Sequence, residues 1–152
     1  MARSSQHKAQ HRKDWVFTRP RAAQECFVRD YNNLAVWQKA HALALAINSA
    51  SLRLPRARAS LASQMRRAAE SIPTNIVEGC GRVSQKEFAN FLQISVGSCN
   101  ELEYQLRLAR DYEALDGREW QRLTDLTIEV RRMLIGLSGK IRRDLRALSR
   151  ER

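Results

Sequence analysis

Gln64-Met65-Arg66-Arg67-Ala68-Ala69-Glu70-Ser71-Ile72-Pro73-Thr74-Asn75-Ile76-Val77-Glu78-Gly79 decides the fold, together with its continuation Ser84-Gln85-Lys86-Glu87-Phe88 and Gly97-Ser98-Cys99-Asn100-Glu101-Leu102-Glu103-Tyr104-Gln105. Apolar residues recur at steps of three and four on both sides of Gly79, so two amphipathic helices meet here at a short glycine turn. One helix carries a proline in its body and the other a glycine. In a helix interior proline costs about 3 kcal/mol and glycine about 1 kcal/mol relative to alanine. Residues that costly serve packing or a site.

Outward from this pair, the same periodicity predicts two more helices. A first helix opens near Asn32 or Asn33, both good N-caps, and runs through Leu34, Trp37, Ala40, Leu45 and Ile47 before Pro55. The second, beginning after Pro55, is the proline-bearing one, and Pro73 is expected to bend it. Ser84 with Glu87 reads as a capping box, and Val83 with Phe88 as the matching hydrophobic staple at the third start. Asp116 with Glu119, and Leu115 with Trp120, repeat both devices at the fourth, which continues through Leu123, Val130, Leu134 and Ile141. Short connections make sequential helices antiparallel neighbours. The expected fold is therefore all-α: an antiparallel up-down-up-down four-helix bundle at 32–148, preceded by a flexible basic arm at 1–31 and followed by a basic tail at 149–152.

Composition limits the function. The chain has 152 residues, one domain's worth, with 27 basic and 16 acidic residues for a formal net charge of +11. That excess favours an anionic partner such as nucleic acid. Cys26, Cys80 and Cys99 are an odd count without metal-ligand spacing, which fits a reducing compartment, and the cytoplasm is the expected location. No apolar run approaches the roughly 20 residues that a membrane span needs, so no membrane partner is expected.

Leu34-Ala35-Val36-Trp37-Gln38-Lys39-Ala40, Gln64-Met65-Arg66-Arg67-Ala68-Ala69, Ser71-Ile72-Pro73-Thr74-Asn75-Ile76-Val77-Glu78-Gly79, and Gly97-Ser98 with Glu101-Leu102-Glu103 closely resemble one bacterial family. It is the four-helix bundle family whose first members are encoded by intervening sequences in 23S ribosomal RNA genes. The accessory variability determinants of diversity-generating retroelements look like relatives. The resemblance runs from about Leu34 to the region of Ile141 and excludes the arm. It implies homo-oligomers, typically pentamers. In the retroelement branch it also implies a reverse transcriptase with its template RNA as partner.

Enzyme signatures are missing. Di-iron bundles need Glu-x-x-His pairs, and His7, His11 and His41 never follow a glutamate at that spacing. Gly79-Cys80-Gly81 lacks the lysine and spacing of a phosphate loop and reads as a helix C-cap. No cofactor, no metal and no catalytic residue is assigned. Glu101 and Glu103, two apart, fall on different sides of their helix and cannot form one acid/base couple. With Arg67 and Glu78 they read as interhelix or subunit contacts. Gly97 and Ser98, with Ala89 and Ser95, form a small-residue strip that admits another helix closely, either within the bundle or between copies.

Basic residues gather in two places. Arg131, Arg132, Lys140, Arg142, Arg143 and Arg146 lie along the fourth helix, and Arg56, Arg58 and Arg66 near the start of the second. These are the candidate nucleic-acid contacts. Tyr104, Tyr112 and Trp120 read as core or rim residues, since no aromatic RNA-reading module is present. The expected function is a non-catalytic, self-assembling bundle that binds nucleic acid, RNA before DNA, or a nucleoprotein partner. The alternative is a protein-interaction scaffold with no nucleic-acid role.

Overall fold

The computed structural model describes residues 29–151. The arm read at 1–31 lies outside the described residues except for its last three. Four helices make up the bundle: α1 (Ala35–Ser51), α2 (Ala59–Cys80), α3 (Gln85–Asp111) and α4 (Gly117–Arg150), with 3-10 turns at Tyr31–Asn33 and Arg56–Arg58. Among the described residues there is no strand.

The direction of each helix follows from its cross-contacts. Between α2 and α3, Gly79 abuts Phe88 and Phe91, the Ser95 hydroxyl donates to the Ile72 carbonyl at 2.9 Å, and Ser71 meets Ser98 at 2.9 Å. Residue numbers fall along one helix as they rise along the other, so the two are antiparallel. Gln93 with Ser138, and Asn100 with Arg131, give α3 and α4 the same relation. Lys39 with Glu129, and Arg53 with Glu119, do so for α1 and α4. One end of the bundle therefore gathers the end of α1, the start of α2, the end of α3 and the start of α4. The other end gathers the start of α3 and the last turns of α4.

Each helix contributes a buried stripe. Leu43 and Ile47 come from α1, Met65, Ile72 and Ile76 from α2, Phe88, Leu92, Leu102 and Leu106 from α3, and Leu123, Val130 and Leu134 from α4. Fully burying one such side chain is worth about 1.5–3 kcal/mol, which is the main force holding the helices together. Some of the polar residues that interrupt the stripe are satisfied locally, while the Thr124 hydroxyl and the Gln105 side-chain carbonyl oxygen are buried without a partner among the described residues. Thr127 donates to the Leu123 carbonyl, and Ser138 accepts from Gln93.

Several element boundaries differ from those the sequence suggests. Neither Asn32 nor Asn33 caps α1. Asp30 accepts from the Asn32 amide and from both asparagine side chains, winding a 3-10 turn that delivers the chain to Leu34, the residue at the α1 N-cap. At α3, the Ser84 hydroxyl accepts from the Glu87 amide at 3.1 Å, but Val83 is 60% exposed, so the expected staple is not buried against Phe88. Asp116 caps α4 through the Arg118 and Glu119 amides, while the Glu119 side chain turns to Arg53 and Arg122 instead of closing a box. Helix α4 runs through Ser149 and Arg150, so those two belong to the helix rather than to a tail.

Pro73 sits inside α2, which continues past it to Cys80. Three successive carbonyls before the ring receive side-chain donors: Glu70 from Thr74, Ser71 from Asn75, and Ile72 from Ser95. A proline removes one helix amide donor and crowds the preceding turn. The Ser-Ile-Pro-Thr-Asn sequence supplies hydroxyl and amide donors at the turn where the ladder is weakest.

Candidate functional site

Three features of the surface combine charge with shape. The first is a groove of about 330 Å³ between the start of α3 and the end of α4, lined by Lys86, Ala89, Asn90, Arg142, Leu145 and Arg146. No carboxylate of the described residues lines it. Among the described residues, Lys86, Arg142 and Arg146 take part in no ion pair. Lys86 stands in the first turn of α3, at the positive end of that helix's dipole, a position that does not favour a cation in the isolated helix. Arg142 and Arg146 are one turn apart on α4 and face Asn90 and Lys86 because the helices are antiparallel. The result is a patch of concentrated positive potential with an amide beside it, suited to an anion with several oxygens.

The structure divides the basic residues read from the sequence. Arg142 and Arg146 line the groove, and Lys140, Arg143 and Arg132 are exposed elsewhere on α4. Arg131 is engaged: its guanidinium bonds Asn100 at 3.0 Å and pairs with Glu103, half-buried between α3 and α4. Arg66 is also engaged, donating to the Ser51 hydroxyl at 3.0 Å, which in turn donates to the Asn48 carbonyl. Arg56 and Arg58 stand at the opposite end of the bundle, and Arg58 lies 3.9 Å over the Tyr112 ring. Lys86 and Asn90 were not among the sequence candidates. Their signal is their spacing, one turn apart on the helix face that an antiparallel partner must cover.

The second feature is the α2–α3 face. A polar cleft of about 370 Å³ is lined by Gln64, Arg67, Ala68, Ser71 and Glu101. Arg67 and Glu101 share it without forming an ion pair, and Glu101 accepts instead from Gln105 at 3.1 Å. On the α3 side of it Ile94 and Tyr104 are exposed. The small-residue strip splits at this face. Ala89, Ser95 and Ser98 are buried inside the bundle, while Gly97 is exposed and a Cβ added to it would meet nothing within 4 Å. Glu103 is turned to α4 by Arg131, so the two glutamates do serve different sides. Glu78 pairs with Arg82 one turn on, at the end of α2.

The third feature is a network at the opposite end. The Glu119 carboxylate is shared by Arg122, at 2.8 Å from each of its oxygens, and Arg53, at 2.9 Å. The Arg122 hydrogen bond, helped by the charge of Arg53, holds the Glu119 carboxyl below its usual range.

Groups with nucleophilic chemistry are quiet. Burial pushes the Cys99 thiol up to about 12, and the Cys80 thiol is raised for the same reason. Both stay protonated near neutrality, the form that does not attack. His41 stacks on Trp37 with ring centroids 5.2 Å apart. Among the described residues no cluster of His, Cys, Asp or Glu has the makings of a metal site, and no helix is long and apolar enough to cross a membrane.

Residues 32–136 match the family model described as 23S rRNA-intervening sequence protein. The chain belongs to that family. Its matched segment spans α1, α2, α3 and the first half of α4, and so contains the α2–α3 face but stops short of Arg142 and Arg146. A solved structure supports the assignment. It is a protein of unknown function from the S23 ribosomal protein family of Bacteroides thetaiotaomicron, 25% identical, with a TM-score of 0.65, matching over 68% of this chain and 95% of that one. No curated protein matches.

Proposed function

We propose that this member of the 23S rRNA-intervening sequence protein family is a non-catalytic, self-assembling bundle that binds nucleic acid through the groove between α3 and α4. The observation that carries the reading is the convergence of Lys86, Arg142 and Arg146 on one groove with no carboxylate lining it, on a chain of net charge +11. No aromatic lines that groove, so the contact it supports is to phosphate and sugar rather than to bases. Binding of this kind is sequence-tolerant and driven by counterion release. RNA is the favoured polymer because of the family resemblance, and a nucleoprotein such as a reverse transcriptase with its template RNA would meet the same surface.

Self-assembly is read from the α2–α3 face. Exposed Ile94 and Tyr104 flank a polar cleft in which Arg67 and Glu101 are not paired within one chain, and Gly97 leaves open space for a close approach. A second copy offers each charge a partner. The expected state is a homo-oligomer, a pentamer by the resemblance. A light-scattering mass near 17.5 kDa at micromolar concentration would remove this part of the reading.

The binding test is retention of RNA and DNA on the purified chain from low to physiological salt. The expected result is affinity that falls steeply with salt. Replacing Lys86, Arg142 and Arg146 together by alanine should flatten the logarithmic salt slope by about 2 to 3, the share of three phosphate contacts. Equal, negligible retention at both salts would leave the interaction scaffold as the better reading, carried by the α2–α3 face alone.

A further inference from the structure

We propose that the end of the bundle opposite the Lys86 groove holds a base-stacking site, in which an unpaired nucleobase of a single strand packs on the exposed face of Tyr112. This deepens the nucleic-acid reading above and rests on it. Tyr112 is the C-cap of α3, and its amide bonds the Leu108 carbonyl at 2.9 Å. Glu113 follows at a φ of 54°, and the Ala114 amide bonds back to the Ala109 carbonyl at 2.9 Å, so the ring stands on a turn with a fixed backbone. The Arg58 guanidinium covers one ring face at 3.9 Å from the centroid, yet the residue remains 46% exposed. A guanidinium against one face of a ring that is otherwise about half exposed is half of a stack, and a nucleobase on the open side completes it. Arginine on the far side adds a cation–π contribution to such a platform.

The surrounding charges favour a strand. Arg56 is exposed, and among the described residues it is in no ion pair. Of the nearby carboxylates, Asp111 is held by Arg110, Asp116 caps the first amides of α4, and Glu119 is shared by Arg53 and Arg122. Among the described residues only Glu113 of these is left uncompensated, which directs the sugar-phosphate path to the Arg56 side. No other described ring combines these properties. Trp120, Phe91 and Phe88 also lie beneath arginines but are partly or wholly buried, and Tyr104 is exposed without a guanidinium over it.

A duplex keeps its bases stacked on one another, so Tyr112 should matter for single strands only. The test is anisotropy titration of the full chain with labelled oligo(U), an abasic strand of the same length, and a duplex. Tyr112→Ala should weaken oligo(U) binding by about tenfold and leave duplex binding unchanged, while Tyr112→Phe, which keeps the ring, should behave as the native chain. The abasic strand should bind the native chain no better than oligo(U) binds Tyr112→Ala. Circular dichroism checks that both variants keep their helices. Unchanged oligo(U) affinity in Tyr112→Ala, or an equal loss on duplex, overturns the stacking site while leaving the phosphate groove in place. Native chain that binds none of the three probes at low salt overturns both readings.

Discussion

The two most instructive residues are glycines that serve opposite purposes. A Cβ on Gly79 would lie 2.8 Å from the Phe91 Cβ and 2.9 Å from the Phe88 ring, a separation that packed atoms do not tolerate. The end of α2 can rest on the start of α3 only because position 79 has no side chain. Gly97, in the middle of α3, meets nothing within 4 Å. Inside one chain it gains nothing from lacking a Cβ and carries the helix cost of glycine. Gly79→Ala should therefore destabilise the fold by about 1–3 kcal/mol, the usual cost of overpacking. Gly97→Ala should stabilise the isolated bundle by up to about 1 kcal/mol. Urea unfolding of both variants under conditions that keep the chain monomeric checks the pair, and equal shifts of the same sign would refute the assignment. The sequence flagged Gly97 as a costly helix glycine and read Gly79 as part of a turn, but it could not say which of the two was crowded. That depends on what lies across the helix interface, and neither local propensity nor periodicity contains it.

At the scale of elements, apolar steps of three and four located all four helices because each buries one stripe, and the burial itself imposes the period. Their starts were less legible. The same short polar residues that cap helices also cap turns, so Asp30 took the role expected of Asn32 or Asn33 by winding a 3-10 turn first. Glu119 was read as half of a capping box, yet Arg53 lies across the connection between elements and competes for it. That placement has a pH consequence. The Glu119 carboxyl is held below its usual range in the fold, mainly by the Arg122 hydrogen bond. A carboxyl depressed on folding contributes stability above its unfolded value and loses it as pH falls through the folded value. Thermal melts should show the native chain losing stability on the acid side of the ordinary carboxylate range. Glu119→Gln should shrink that loss and cost about 0.5–1 kcal/mol at neutral pH, the range of a partly exposed ion pair. A variant whose melting temperature follows the native pH profile would show that the network adds nothing.

For the whole molecule, the charge of the chain is less available than its sum suggests. Among the described residues four arginines lie over aromatic rings, Arg29 on Phe88, Arg58 on Tyr112, Arg82 on Phe91 and Arg110 on Trp120, and Arg131 is tied to Glu103. Counting basic residues along α4 therefore overstated Arg131. It also missed Lys86, which comes into play only when antiparallel packing lays the start of α3 beside the end of α4. The α2–α3 face has the converse pattern, with two opposite charges left apart in one polar cleft. If copies meet across it, Arg67 of one chain and Glu101 of another compensate each other, and each alone is replaceable only at the expense of assembly. Arg67→Glu and Glu101→Arg should each shift the light-scattering mass toward the single chain, because each sets like charges against each other at the seam. The double exchange restores opposite signs and should recover the assembled mass. Helix content should stay constant in all three, since neither side chain is buried in the bundle. Recovery in the double variant identifies the pair as the cross-chain contact. Single variants that assemble as the native chain does would place the seam on another face.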